Sequence, residues 1–176
     1  MGEPVLKKGV TLVLGGARSG KSMFAERLVA GTDLEPVYVA TAQIFDEEMR
    51  ERIAHHRARR GAEWRLVEEH DALEGVLARE AMAGRAVLVD CLTLWVSNLM
   101  LAEADIRVRS FALLDALGAC KAPVVLVSNE VGLGIVPDNQ MARDFRDYAG
   151  RLNQEIAAHA DTVYFLAAGL PLTLKG

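Results

Sequence analysis

The sequence has 176 residues, of which 51% are hydrophobic and 25% charged, as in a folded globular chain and unlike a disordered one. Its 24 acidic residues outnumber its 20 basic ones, and the formal net charge of −4 is the opposite of what binding to nucleic acid backbones requires. We therefore expect one folded domain over residues 1–176 and no nucleic acid partner.

The cysteine content and the hydropathy pattern bear on the compartment in which the protein works. Two cysteines, Cys91 and Cys120, are too few for a disulfide framework, and no signal peptide pattern is present. The most apolar stretch, residues 92–102, is much shorter than the roughly 20 residues that cross a bilayer. We expect a cytoplasmic protein without a membrane span.

Short β-branched apolar runs alternate along the chain with segments of helical period. The apolar runs predict buried strands at residues 10–14, 37–40, 86–89, 124–127 and 162–166. The helical segments are residues 22–30, 46–60, 71–82, 106–117 and 141–158. This order predicts an α/β fold, with a mainly parallel sheet, helices on both faces, and ligands beyond the carboxyl ends of the strands.

The end of the first predicted strand carries a phosphate-binding motif. The pattern G-x-x-x-x-G-K-[ST] is formed by Gly15, Gly16, Ala17, Arg18, Ser19, Gly20, Lys21 and Ser22. Backbone N–H groups of such a loop surround phosphate oxygens, and the following helix adds its positive N-terminal end. We expect Lys21 to reach the β and γ phosphates and Ser22 to bind Mg²⁺, in a P-loop NTPase; an incidental glycine-rich turn is the alternative.

Two further strand ends carry polar residues. Asp90 directly follows the apolar run 86–89, and we expect it to be the second residue directed at Mg²⁺, with a turn or helix cap as the alternative. Polar residues at 128–132 follow the apolar run 124–127. They either contact a ligand or have a structural role in a loop.

The segment 46–60 ends in two adjacent histidines among arginines. At helical spacing His56 shares a stripe with Met49, Ile53 and Arg60, which favours His56 over His55 as the inward-facing ring. Positive neighbours disfavour the imidazolium form and attract a polyphosphate. A solvated basic helix end is the alternative explanation of the same residues.

An ordered set of motifs over nearly the whole chain resembles the bifunctional adenosylcobinamide kinase and adenosylcobinamide-phosphate guanylyltransferase family. Besides the loop from Gly15 to Ser22, the motifs are Tyr38-Val39-Ala40-Thr41-Ala42, Arg52-Ile53 followed by His56, Trp64-Arg65 with Glu68, Val89-Asp90-Cys91-Leu92-Thr93-Leu94-Trp95, Ser128-Asn129-Glu130-Val131-Gly132, Ile135-Val136-Pro137, Phe145-Arg146-Asp147 and Gly150-Arg151-Leu152-Asn153-Gln154.

The resemblance implies two activities in cobalamin biosynthesis. The kinase would phosphorylate adenosylcobinamide with ATP or GTP. The second activity would take GMP from GTP onto a histidine, which maps to His56, and pass it to adenosylcobinamide phosphate to give adenosylcobinamide-GDP. The resemblance also implies a homo-oligomer, a trimer in relatives.

The family's nucleotide contacts carry over residue by residue. They fall on the loop from Gly15 to Ser22 and on Ala40, Thr41, Ala42, Arg57, Ala58, Arg59, Arg60, Glu68 and Asp90. Two other functions stay open at this point. One is a single-activity P-loop kinase of small molecules with structural histidines, and the other is a nucleotide-sensing module that a partner protein reads.

Overall fold

The computed structural model describes residues 4–43 and 61–176, and the predicted helix at residues 46–60 lies outside these ranges. The strands are β1 (Val10–Gly15), β2 (Glu35–Ala40), β3 (Arg65–Glu68), β4 (Arg85–Asp90), β5 (Val124–Asn129), β6 (Thr162–Ala167) and β7 (Leu170–Lys175). The helices in the described residues are α1 (Lys21–Ala30), α2 (Leu73–Glu80), α3 (Leu92–Leu101), α4 (Ile106–Ala119) and α5 (Gln140–His159).

All strands belong to one sheet in the order β3-β2-β4-β5-β1-β6-β7. The pairs from β3 to β6 are parallel, and β7 returns antiparallel to β6. The five predicted strands are all present, each longer by one or two residues, whereas β3 and β7 were not predicted. The α/β fold with a mainly parallel sheet is confirmed.

Helices cover both faces of this sheet, as the strand composition predicts. Because successive side chains point to opposite faces, each strand contributes to two apolar clusters. On one face Phe24, Ala25, Leu28 and Val29 of α1 pack against strand residues such as Val13 and Leu88. The opposite face carries α2, α3, α4 and α5, with Trp95 fully buried in that cluster.

The helices differ from the sequence predictions at two places. The predicted helix 71–82 is shorter, because the backbone N–H groups of Asp71 and Ala72 are bound by the Glu69 side chain before α2 begins. Helix α3 was not predicted as a helix; its sequence is apolar nearly all round, and such a run shows little helical period. No helix in the described part of the chain is long and apolar enough to cross a membrane.

The register brings the carboxyl ends of the central strands to one edge of the sheet. Gly15 of β1 is level with Asn129 of β5, and Ala40 of β2 is level with both Asp90 of β4 and Glu68 of β3. The loop after β1 and the polar strand ends therefore lie on the same side of the molecule, where ligands bind in open α/β sheets.

Candidate active site

A cavity of about 530 Å³ opens at this edge of the sheet. The glycine-rich loop and its helix form one wall, the ends of β2, β4 and β5 form the floor, and α3 and α5 close the far side. The lining residues are Ala17, Arg18, Lys21, Ser22, Tyr38, Ala40, Ala42, Asp90, Cys91, Thr93, Leu94, Ser97, Asn129, Glu130, Val131 and Phe145. A volume of this size is typical of small-molecule sites.

The glycine-rich loop has close backbone contacts that only glycine permits. A Cβ on Gly15 would lie 2.5 Å from Ser19 Oγ and 2.7 Å from the carbonyl oxygen of Leu166. Gly20, which caps α1, has a φ of 92°, in the left-handed region that side chains disfavour. The turn between β6 and β7 supports the loop, because Gly169 N–H donates to the Ser19 carbonyl at 2.9 Å.

Lys21 begins α1 and lines the cavity, although its residue is only 8% exposed. Its Nζ donates to the carbonyl oxygen of Gly16 at 2.9 Å, so the ammonium group lies over the loop. Ser22, the next residue, also lines the cavity. The loop and the first turn of α1 thus bring a cation, a hydroxyl and a positive helix end to one place.

Asp90 ends β4 and lines the same cavity. Its Oδ2 accepts a hydrogen bond from the Tyr38 hydroxyl at 3.0 Å, and Tyr38 lies on the neighbouring strand β2. The ring of Tyr38 is 95% buried and packs edge to face on Trp64, with centroids 6.1 Å apart. Packing therefore fixes the ring that orients the Asp90 carboxylate.

A buried polar network supports the floor of the cavity behind Asp90. Thr41 Oγ1 donates to the Cys91 carbonyl and accepts from Cys91 N–H, each at 2.8 Å. Asn98 Nδ2 donates to the carbonyl oxygens of Thr41 at 2.8 Å and His70 at 3.0 Å. Since buried polar groups cost free energy when unpaired, these bonds hold the ends of β2 and β4 together with α3.

The end of β5 is tied to α3 and α5 in a similar way. Thr93 Oγ1 accepts from Asn129 N–H at 3.1 Å and from Asn129 Nδ2 at 2.8 Å, and Asn153 Nδ2 donates to the Asn129 carbonyl at 3.2 Å. Glu130 follows, and its backbone N–H donates to the Gly15 carbonyl at 3.0 Å. The Glu130 backbone is thereby tied to the glycine-rich loop, and its side chain, which lines the cavity, accepts a hydrogen bond from Gly132 N–H through Oε1.

Cys91 also borders the cavity, and its environment makes it unreactive. Complete burial, together with the nearby Asp90 carboxylate, raises the pKa of the Cys91 thiol to about 11. The thiol is therefore protonated at neutral pH, which disfavours a role as a nucleophile.

Most of the predicted site residues that fall within the described ranges lie together at this cavity. Ala17, Arg18, Lys21, Ser22, Ala40, Ala42 and Asp90 line the cavity, and Gly15, Gly16, Ser19 and Gly20 shape the loop. Thr41 is buried, and its hydroxyl donates a hydrogen bond to the Cys91 carbonyl. Glu68 lies at the end of β3 beside Ala40 but is not a lining residue. His56, its neighbour His55, and Arg57, Ala58, Arg59 and Arg60 lie outside the described residues.

Several side chains of the cavity wall were not predicted from the sequence as site residues. Tyr38, Thr93, Leu94, Ser97 and Phe145 come from β2, α3 and α5. Thr93 and Ser97 are four residues apart in the helix that starts just after Asp90, so their common direction is a signal in the sequence. Phe145 reaches the site only through the packing of α5, which no local pattern shows.

Comparison with known proteins places the chain in one family. Residues 11–174 match the family described as cobinamide kinase / cobinamide phosphate guanyltransferase. The bifunctional adenosylcobalamin biosynthesis protein CobP of Pseudomonas aeruginosa is 53% identical, over 94% of this chain and 96% of that protein. The bifunctional adenosylcobalamin biosynthesis protein CobU of Escherichia coli is 41% identical, over 93% of this chain and 98% of that protein.

A solved structure shares the fold. The P4 protein of bacteriophage phi6, solved in complex with ADP, superposes with a TM-score of 0.51 at 16% identity, over 94% of this chain. The chain spans 53% of the length of that phage protein, and the likeness concerns the fold alone. Because the family match and the relatives cover nearly the whole chain, this protein belongs to the cobinamide kinase / cobinamide phosphate guanyltransferase family.

Proposed function

We propose that this protein is a bifunctional enzyme of cobalamin biosynthesis. It phosphorylates adenosylcobinamide with ATP or GTP, and it then transfers GMP from GTP to the product to give adenosylcobinamide-GDP. The observation that carries the proposal is that the glycine-rich loop, Asp90 and the end of β5 all open onto the same cavity, in a chain of this family.

The loop and α1 bind the nucleotide through its phosphates. Backbone N–H groups of the loop and the N-terminal end of α1 provide donors and positive potential for phosphate oxygens. Lys21 exchanges its bond to the Gly16 carbonyl for bonds to the β and γ phosphates, which are stronger because both partners carry charge. ATP and GTP share this triphosphate, so the loop accepts either.

The oxygen donors of the cavity fit Mg²⁺. Ser22 and Asp90 both line it and offer a hydroxyl and a carboxylate, the hard ligands that this ion prefers alongside phosphate oxygens. These two residues would hold the ion, which supplies charge neutralisation on the phosphates when bound.

In the kinase reaction, the acceptor hydroxyl of adenosylcobinamide attacks the γ-phosphorus. The bond between the γ-phosphorus and its bridging oxygen breaks, and the nucleoside diphosphate leaves with the charge that Lys21 stabilises. The hydroxyl proton passes to a carboxylate. Asp90 and Glu130 are the carboxylates among the described lining residues, and Glu130 lies outside the proposed Mg²⁺ ligands, which makes it the preferred acceptor.

In the guanylyl transfer, His56 is the nucleophile. Its neutral ring nitrogen attacks the α-phosphorus of GTP, and diphosphate leaves toward the loop. A phosphate oxygen of adenosylcobinamide phosphate then attacks the same phosphorus, and the nitrogen–phosphorus bond breaks. Arg57, Ala58, Arg59, Arg60 and Glu68 belong to this nucleotide contact surface in the proposal. One nucleotide site serves both reactions, which differ in the phosphorus atom attacked.

We further propose that the protein self-associates and works in the cytoplasm. The resemblance to the family implies a trimer, and β7 supports association because its outer edge pairs with no strand in the described residues. Its leucines, Leu170, Leu172 and Leu174, are 56% to 72% exposed. Sedimentation analysis of the purified protein tests the oligomeric state.

The experiment that tests the function measures both reactions on purified protein. Wild-type protein is expected to phosphorylate adenosylcobinamide and to guanylylate the product. Lys21→Ala is expected to slow both reactions by about 10²- to 10³-fold, since the lysine binds the phosphates in each. Lys121→Ala, at an exposed lysine outside the cavity, is the matched control.

Each competing function gives a different result in the same experiment. Phosphorylation without any guanylylation would assign the protein to the single-activity kinases. Tight GTP binding without turnover of either cobinamide substrate would favour the nucleotide-sensing module.

A further inference from the structure

The loop between β5 and α5 exposes a cluster of large apolar side chains beside the cavity. Leu133 is 83% exposed, Ile135 98% and Val136 62%, and Met141 at the start of α5 is 58% exposed. We call these four residues the apolar lip. Contiguous exposed apolar residues of this kind commonly mark a binding surface, since exposure to water costs free energy.

The backbone that carries the lip is anchored at both ends. At its start, Glu130 N–H donates to the Gly15 carbonyl at 3.0 Å. At its end, Arg143 Nη1 donates to the carbonyl oxygens of Pro137 at 2.9 Å and Asp138 at 2.8 Å. The anchored ends hold the lip at the side of the glycine-rich loop. Because these ends are already fixed, they lose little conformational entropy when a ligand binds.

The lip continues the wall of the cavity. Val131, just before the lip, and Phe145, one turn of α5 beyond Met141, both line the cavity. The segment from Val131 to Pro137 contains no charged residue. A polyphosphate needs cations or N–H donors, so this surface suits instead a large ligand with extensive apolar surface, whose smaller arm enters the cavity.

The second substrate has this chemistry, and the inference rests on the proposed function. Adenosylcobinamide combines a broad corrin ring, which is edged by methyl groups and neutral amides and carries the cobalt-bound adenosyl group on one face, with a slender aminopropanol arm that bears the hydroxyl. A cavity of about 530 Å³ has the size of a single drug-sized ligand, and the nucleotide takes up much of it. The corrin ring therefore has to lie outside.

We propose that the apolar lip is the docking surface for the corrin ring of cobinamide. The ring covers Leu133, Ile135, Val136 and Met141, and the aminopropanol arm passes Val131 and Phe145 to reach the phosphates. The lip then determines the affinity for cobinamide, and the glycine-rich loop determines the affinity for the nucleotide.

The test compares Ile135→Ser and Val136→Ser with Val108→Ser in the full chain. Val108 lies on α4, is 59% exposed like Val136, and is not a lining residue of the cavity. Cobinamide binding is measured by equilibrium dialysis, with the visible absorbance of cobinamide as the signal. Covalent GMP loading from GTP, which needs no cobinamide, reports on the nucleotide site, and sedimentation reports on the oligomeric state.

We expect Ile135→Ser and Val136→Ser each to weaken cobinamide binding by about tenfold, as expected for partial loss of one buried aliphatic side chain. GMP loading, oligomeric state and the Val108→Ser variant stay at the wild-type values. Unchanged cobinamide binding in both lip variants overturns the inference. A change of oligomeric state in the lip variants overturns it too, because the lip is then a contact between copies of the chain. Wild-type protein that binds no cobinamide refutes the proposed function itself.

Discussion

The Asp90 carboxylate is oriented by a neighbour that has no direct part in the proposed chemistry. Tyr38 donates its hydroxyl hydrogen to Asp90 Oδ2 at 3.0 Å from the adjacent strand. The ring is held by its packing on Trp64 and by near-complete burial. Tyr38 thus acts as a positioning residue, and the carboxylate keeps one orientation while its other oxygen stays available for a cation.

Tyr38→Phe tests this role. Loss of the hydroxyl frees the carboxylate to rotate, so we expect the kinase reaction to need more Mg²⁺ for half-maximal rate and its kcat to fall by about tenfold. The measurement is a Mg²⁺ titration of adenosylcobinamide phosphorylation. Tyr164→Phe, at a buried tyrosine of β6 outside the cavity, is the control. An unchanged Mg²⁺ requirement would show that the hydrogen bond only contributes to folding.

At the scale of single elements, the glycine-rich loop depends on close approach at one glycine and not at its neighbour. Gly15 has no room for a Cβ, because the Leu166 carbonyl of β6 and the Ser19 side chain would lie within 2.7 Å of it. Gly16 has no atom within 4 Å of the position of a Cβ. The two adjacent glycines therefore differ in what a methyl group would do.

We expect Gly15→Ala to lower the free energy of unfolding by about 1–3 kcal/mol, the usual cost of overpacking. Gly16→Ala should change it by less than about 0.5 kcal/mol, as at an unconstrained surface position. Urea denaturation of both variants measures the difference. Equal destabilisation of the two variants would contradict the packing argument.

The start of α2 depends on the Glu69 side chain. Burial on its own would raise the pKa of the Glu69 carboxyl, but hydrogen bonds from the N–H groups of Asp71 and Ala72 outweigh it and lower the pKa below its ordinary value of 4.5. Because the pKa is lower in the folded state, the ionised carboxylate stabilises the fold at pH values above the ordinary pKa of glutamate. That stabilisation is lost as the pH falls through the folded-state pKa.

Glu69→Gln should therefore destabilise the protein at pH 7, and much less once the pH has fallen below the folded-state pKa of Glu69. We expect a difference of less than about 1 kcal/mol, because the group is partly exposed and water screens it. Denaturation at several pH values measures it, with Glu103→Gln at an exposed position as the control. A difference independent of pH would mean that the charge of Glu69 does not contribute to these hydrogen bonds.

Local patterns predicted the elements that have a strong signal of their own, and missed those that depend on neighbours. Strand β3 has four residues with charges at both ends, so only its pairing with β2 makes it a strand. Strand β7 contains a proline and is exposed along its whole length, which is the pattern of an edge strand and weak evidence in a sequence. The glycine-rich loop was predictable because its residues are contiguous.

At the scale of the whole molecule, the topology assembles a site from segments far apart in the chain. Parallel pairing of β1, β4 and β5 sets Lys21, Asp90 and Glu130 around one cavity. The strand ends Asp90 and Asn129 were predictable as positions, because ligands bind at the carboxyl edge of such sheets. Tyr38 and Phe145 were not, because their direction depends on how β2 and α5 pack.

We propose that one enzyme uses this cavity for phosphoryl transfer and a histidine for guanylyl transfer. The most direct measurement is mass spectrometry of the protein after incubation with GTP and Mg²⁺, with peptide mapping, in the wild type, His55→Ala and His56→Ala. We expect a GMP adduct on His56, labile to acid and stable to base. It should be absent from His56→Ala, which still phosphorylates adenosylcobinamide. A wild type without an adduct, or an adduct that survives in His56→Ala and disappears in His55→Ala, would show that His56 does not carry the GMP.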